Sequence, residues 1–245
     1  VTAGVEEDVS AWIVGPPPDA CTSPNALVQA LPLPDRVALI AACQRSVVEC
    51  GASPDVPMAV FPETAILSLV DARGVELALV GSEGMTGWSI LLGSTTHGIR
   101  CVAECSGTVL ALPASELTRL CRASAPIRAM VLQFVEVVAA QMAHAIGAAT
   151  CHSLTARLSR RLLMLHDRSL GDSYDVTHAR LAEALAVRRA SVTDRLHLLE
   201  GERVLRCTRS RVTVLDRPAL LAAANGAYGG AELAYRQIIG AFGKS

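Results

Sequence analysis

The stretch YDVTHARLAEALAVRRASVTDRLHLLEGERVLRCTRSRVTVLD, Tyr174 to Asp216, decides how the chain is read. Leu181, Leu185 and Val187, then Val192, Leu196 and Leu199, recur at helical spacing, which gives each group one apolar face. The pattern predicts a short helix, a tight turn, a second helix and then a two-stranded hairpin carrying Arg206, Arg209 and Arg211. The apolar faces make a core, and the arginines are left outside it.

The charge distribution says what that surface is for. A net charge of -1 over 245 residues conceals two unlike halves. Residues 1 to 126 hold 6 basic and 13 acidic side chains, whereas 151 to 217 hold 13 arginines and 8 acidic groups. A helix-turn-helix with a basic hairpin in the positive half is the arrangement of a winged helix-turn-helix that docks on double-stranded DNA. No nucleophile and base, metal triad or phosphate loop stands out, and the glycines of GSEGMTG (81–87) have unsuitable spacing, so no enzyme is expected.

The hydrophobic fraction is 51% and the charged fraction 18%. The longest apolar region, Ile127 to Ala149, is interrupted by Arg128, Gln133, Glu136, Gln141 and His144, short of the roughly 20 apolar residues of a membrane span. The expectation is a chain without a membrane partner, with apolar surface to spare for an oligomer interface. Glu6, Glu7 and Asp8 stand where a signal peptide would be positive, and the eight cysteines have no CxxC pair, so reduced thiols in the cytoplasm are expected.

Working outward gives an α+β chain in five parts. Residues 1–24, with Pro16-Pro17-Pro18 and no periodicity, read as a flexible tail. Residues 25–125 read as a β-roll: a helical stretch from Asn25 to Cys50, then short strands MAVF, AILSLVD, VELALVG, GIRCVAEC and TVLALP, and a short helix from Ser115 to Arg122. Residues 126–150 form a long helix started by Pro126. Its approximate heptad seam, Ile127, Met130, Val131, Phe134, Val138, Gln141 and Ala145, predicts a parallel homodimer. Residues 151–225 are the winged helix-turn-helix, preceded by a helix from Thr155 to Arg168 whose arginines, Arg157, Arg160, Arg161 and Arg168, point mostly outward. Residues 226–245 are a glycine-rich tail.

The order of roll, long helix and winged helix-turn-helix resembles the cyclic-AMP-receptor/Fnr (Crp/Fnr) family of bacterial transcriptional regulators. The resemblance spans residues 25 to about 225 and is closest in VTHARLAEALAVRRASVTDRLHLLEGERVLRCTRSRVTVLD, Val176 to Asp216; FPETAILSLV and VELALVGSEGMTGWSILLG resemble strands of the family's cyclic-nucleotide-binding-like roll. It implies a homodimer on a near-palindromic operator, with RNA polymerase as a further partner. Carried over, Arg188, Arg189, Ala190 and Ser191 begin the recognition helix, and Thr193, Asp194 and His197 continue its exposed side. Arg189 keeps the family's first base-reading arginine, but Ala190 replaces a glutamate and Asp194 stands where a second arginine is expected, with Arg195 beside it. Arg189 retains a bidentate donor for guanine, and Ala190 offers only a methyl contact. Thr177, at the first helix's N-cap, and Arg206, Arg209 and Arg211 on the wing are placed for phosphates.

At the family's nucleotide clamp this sequence has Gly87, Trp88 and Ser89 and, depending on the gap, His97-Gly98 or Arg100-Cys101. Tryptophan accepts no hydrogen bond from a ribose hydroxyl, and neutral histidine is a poor phosphate clamp, so no cyclic AMP binding is expected. No cofactor is expected either. Cys21, Cys43 and Cys50 are too dispersed for an iron–sulfur cluster, and His144 or His152 is a poor candidate for a heme ligand. Cys101 and Cys105, four apart, would share one face of a strand. The alternative to a DNA-binding regulator is a degenerate sensor acting as an adaptor through protein contacts.

Overall fold

The computed structural model describes residues 12–14, 22–54, 57–93 and 98–244. The N-terminal half is a roll of two antiparallel sheets. One has the order β1 (Trp12–Val14), β2 (Gln44–Val48), β7 (Gly107–Pro113), β3 (Met58–Pro62), and the other β5 (Glu76–Val80), β4 (Ile66–Val70), β6 (Arg100–Cys105). The turn between β4 and β5 forms because the Asp71 carboxylate accepts the backbone N–H groups of Arg73 and Val75 at 2.9 and 2.8 Å, and Gly74 takes φ +85°. Val48, Val60, Ala65, Leu67, Ala103 and Val109 fill the space between the sheets. The five strands expected from MAVF to TVLALP are all present.

Helices α1 (Ala26–Gln29) and α2 (Leu33–Ala42) precede β2, and α3 (Ala114–Ala123) follows β7. The helix expected to run to Cys50 stops at Ala42: Ser46 and Val48 alternate inward with exposed neighbours, the period of a strand. The tail expected over 1–24 contains β1, whose Trp12 is opposite Val48. Ser23 is buried, and next to it Asn25 donates to the carbonyls of Pro62 and Gly84, both at 2.8 Å.

Helix α4 (Ala125–Cys151) starts where Ser124 Oγ accepts the Ile127 N–H at 3.1 Å and Pro126 occupies the first turn. Gln141 bonds both backbone groups of Leu79, through Oε1 at 2.6 Å and Nε2 at 3.2 Å, substituting for a neighbouring strand at the edge of β5. With a window of mean hydropathy 1.5, α4 is the one described helix long and apolar enough to cross a membrane, although its inner face is already packed on the roll.

The C-terminal half comprises α5 (Leu154–Arg168), β8 (Ser173–Asp175), α6 (His178–Ala184), α7 (Arg189–Gly201), β9 (Leu205–Thr208), β10 (Arg211–Val214) and α8 (Arg217–Ala224). The wing has three strands in the order β8-β10-β9, one more than the hairpin read from the sequence. The glycine-rich tail forms α9 (Gly230–Ile238), which folds back along α4. Gly230 lies so near the His144 ring that a Cβ there would meet it at 2.1 Å, and the Tyr235 hydroxyl donates to the Glu83 carbonyl at 2.8 Å.

Candidate nucleic-acid interface

The two helices of the reading head are fixed by side chains near their ends. Thr177 Oγ1 accepts the Arg180 N–H at 3.2 Å and starts α6. The turn after α6 places Ala186 at φ +53°, a conformation that costs a residue with a Cβ, while Arg157 of α5 donates to the Leu185 carbonyl at 2.6 Å and holds it. His178 Nδ1 and Thr193 Oγ1 are 2.9 Å apart and join α6 to α7, and the Cys207 N–H donates to Glu200 at 2.6 Å and joins α7 to the wing. The His178 imidazole is held below its ordinary pKa, first by burial and then by Arg189 and His197.

This scaffold presents Arg188, Arg189, Ala190, Asp194, Arg195 and His197 exposed on α7, with Ser191 and Thr193 half-buried. Arg188 is the N-cap and Arg189 the first helical residue, with no acidic side chain in the first turn. Cations at a helix N-terminus oppose the macrodipole, an unfavourable placement that an incoming anion reverses. On the wing, Arg206 and Arg209 are exposed, with Ser210 turning the hairpin at φ +60°. Arg211 is already engaged, because its guanidinium donates to both carboxylate oxygens of Asp175 at 2.7 and 3.1 Å. Those bonds hold Asp175 below the usual carboxylate range.

Other arginines turn away from this surface, contrary to the outward orientation expected for α5. Arg161 is 1% exposed and lies 3.0 Å from Glu76 and 3.1 Å from Glu104. Arg180 of α6 reaches Glu104 at 2.9 Å and the Ala103 carbonyl at 3.1 Å. Arg168 is bound to Glu83 at 2.8 Å and lies over the Phe242 ring at 5.0 Å. Burial pushes the Glu104 carboxyl up, but Arg161 and Arg180 outweigh it and hold the group below its ordinary pKa; at Glu76 burial prevails over Arg161. A buried ionic junction therefore ties the reading head to the roll. Its sequence signal was the isolated carboxylate in each apolar strand, VELALV and CVAEC.

The candidate ligand residues occupy a different environment. Gly87, at φ +81°, sits where a Cβ would lie 2.1 Å from the Met58 carbonyl oxygen. Trp88 and Ser89 are half-buried in the 3-10 helix Trp88–Leu92, and the indole packs edge-on against Phe134 of α4, with centroids 6.5 Å apart. Arg100 is exposed at the start of β6, opposite Val70, and His97 lies outside the described residues. Cys101 and Cys105 do not share a face. Ile66 pairs with Cys105 and Leu67 with Ala103, so a bulge at Glu104 reverses the alternation and turns Cys101 into the roll and Cys105 toward the reading head.

The seam predicted for dimerisation is also turned inward. Ile127, Met130, Val131, Phe134, Val138 and Gln141 are at most 5% exposed within the single chain, and Ala145 is half-buried. The sequence showed the apolar spacing of α4 but not which stripe its own roll and α9 would take. The exposed stripe is Ala129, Leu132, Glu136, Ala139, Ala143, Ile146 and Thr150, spaced alternately by three and four.

Residues 156–223 match the family model for the Crp-like helix-turn-helix domain. No curated protein matches the sequence. Similar solved structures include a putative Crp/Fnr-family transcriptional regulator from Eubacterium rectale, with 17% identity, TM-score 0.62, and coverage of 82% of this chain and 98% of that one. A CRP-family transcriptional regulator from Thermus thermophilus has 22% identity, TM-score 0.58, and coverage of 75% and 98%. A global regulator from Xanthomonas campestris, described as responsive to c-di-GMP, has 15% identity, TM-score 0.58, and coverage of 74% and 98%. At these identities the structural likeness establishes the fold, and the family model bears on the reading head.

Proposed function

We propose that the chain is a member of the Crp/Fnr family of DNA-binding transcriptional regulators, which is non-enzymatic, and that it acts as a cytoplasmic homodimer on a near-palindromic operator. The observation that carries the DNA contact is the row of exposed arginines without an ion-pair partner among the described residues: Arg188 and Arg189 on α7, Arg206 and Arg209 on the wing. Arg189, with Arg188, reads base edges, and the wing pair and Thr177 meet phosphate. Asp194 and Ala190 move the preferred half-site away from the family's usual one, because a methyl group replaces the acceptor expected at 190 and an acceptor replaces the donor expected at 194.

The dimer supports the operator symmetry. Leu132 and Ile146, 50% and 66% exposed, lie on one stripe of α4 with Ala139 and Ala143 between them. Pairing that stripe with its copy buries it and sets two α7 helices to read half-sites about 34 Å apart. Kinship further implies RNA polymerase as a partner. The roll does not take cyclic AMP: the position of the ribose acceptor holds Trp88, whose ring packs on Phe134.

Selection of bound sequences from a random duplex library, with sedimentation of the protein alone, tests the proposal. The expected result is an enriched two-fold motif whose half-sites are one duplex turn apart, from a protein that sediments as a dimer. A monomer, or a library with no enriched motif, overturns it.

A further inference from the structure

Two thiols lie near one another where the roll touches the reading head. Strands β2 and β7 are antiparallel with Val48 opposite Gly107; just beyond that pair lie Cys50, in the turn from Glu49 to Ala52, and Cys105, the last residue of β6. Hydrogen bonds hold the turn against β6. The Gly51 N–H donates to the Ala103 carbonyl at 2.8 Å, the Ala103 N–H to the Ala52 carbonyl at 2.8 Å, and the Cys50 N–H to Ser106 Oγ at 2.9 Å. Cys50 Sγ approaches the carbonyl of Glu104, the peptide group that leads into Cys105, so the two side chains spring from adjoining backbone.

Their contacts make the pair consequential. Cys50 Sγ lies 3.2 Å from the Glu104 carbonyl oxygen, and the Glu104 side chain holds Arg161 and Arg180. Cys105 Sγ lies 3.4 Å from the carbonyl of Asp175 in β8, whose side chain holds Arg211 of the wing. Cys50 is exposed and Cys105 half-buried, whereas Cys43 and Cys121 are buried.

We propose that Cys50 and Cys105 are an oxidation site, a dithiol that a hydroperoxide closes to an intramolecular disulfide, loosening the roll's hold on the reading head. The Cys50 thiolate attacks the hydroperoxide's terminal oxygen and keeps it as a sulfenic acid, the O–O bond breaks, and the leaving hydroxide or alkoxide takes a proton and departs as water or an alcohol. Cys105 sulfur then attacks the resulting sulfenic acid, the S–O bond breaks, and a second oxygen leaves as water with the Cys105 proton. The net change is two thiols oxidised by two electrons and one peroxide reduced. Burial, then Glu104 and Cys50, pushes Cys105 up to about 12, and burial also raises Cys50, so closure is slow at neutral pH and quickens as the pH rises. In the disulfide, Cys105 Sγ leaves the Asp175 carbonyl, and the strand segment carrying Glu104 moves with it.

The site stands on its own geometry; its regulatory consequence rests on the DNA-binding reading. The full-length reduced protein is treated with hydrogen peroxide at pH 7 and pH 8.5, digested without reductant and mapped by mass spectrometry, and amide exchange is followed over residues 173–175. Expected are a Cys50–Cys105 linked peptide, formed faster at the higher pH, absent in Cys50→Ser and reversed by dithiothreitol, and faster exchange in β8. Oxidation that reaches Cys50 without giving that peptide overturns the proposal, as does a disulfide form with unchanged β8 exchange. The selected duplex should show a change in affinity of about fivefold or more on oxidation, lost in Cys50→Ser. Reduced protein that binds no duplex yet closes the disulfide overturns the DNA-binding reading and leaves the oxidation site standing.

Discussion

The arginines of α5 and α6 and those of α7 and the wing belong to one basic half, yet they meet opposite conditions. Arg161 and Arg168 are buried against carboxylates of the roll, with Arg180 beside them, whereas Arg188, Arg189, Arg206 and Arg209 stand in water without partners among the described residues. The first group costs about 3–5 kcal/mol to break, because removing one ion strands another in low dielectric. The second costs the free protein only the unfavourable placement of Arg188 and Arg189 at the N-terminus of α7, and it acquires value when phosphate or a base edge arrives. Net charge therefore overstates what the half offers to DNA, since much of it is neutralised internally.

The largest expected effect breaks the buried side of this contrast. Arg161→Ala leaves Glu76 and Glu104 facing each other without their shared cation, and denaturant titration should show a loss of about 3–5 kcal/mol. Arg189→Ala should do the reverse: operator binding weakens by about 1–3 kcal/mol in fluorescence anisotropy, with the unfolding midpoint unmoved. Equal destabilisation by both substitutions would erase the distinction.

Salt titrations sharpen it further. Arg206→Ala and Arg209→Ala should each lower the slope of log affinity against log salt by about 0.9, the loss of one phosphate contact. Arg211→Ala should change that slope less, because Asp175 already holds its guanidinium. The smallest effect is a pH dependence. The pKa of His178 is lowered in the folded chain, and so is that of His166, by burial first and then by Lys244 and Arg217 against the opposing bond from Asp172. The unfolded chain thus binds more protons, so the contribution of these groups is complete above about pH 6.5 and declines as the pH falls through that value toward the folded pKa. Melting temperatures measured from pH 8 to 5 should fall on the acid side, and His178→Asn should reduce the fall.

Local pattern made much of this legible. The spacing of Leu181 to Leu199 located both helices of the reading head, Thr177 was readable as a cap, and Gly and Asp punctuation located the strands from Met58 to Leu112. What was not legible depended on distant partners. The partners of Arg161 lie 85 and 57 positions away in the chain, so helical periodicity assigned it outward. The heptad spacing of α4 fits two stripes, and only the packed roll and α9 decide which is free. The bulge at Glu104 adds one residue to β6, and that single step separates Cys101 from Cys105.

Helix α9 carries a consequence for the time at which this arrangement is completed. Tyr235 closes on the carbonyl of Glu83, 152 residues earlier in the chain. At about 5–20 residues per second of synthesis, that interval is roughly 8 to 30 seconds. Helix α4 is complete at Cys151, so for the last 84 residues of that interval, roughly 4 to 17 seconds, the roll has been synthesised while the flank of α4 against which α9 packs is still bare. Newly synthesised chains therefore pass through a stage in which that flank is open to chaperones, to proteases and to neighbouring nascent copies, and the stage ends only when residues 230–238 emerge and fold back.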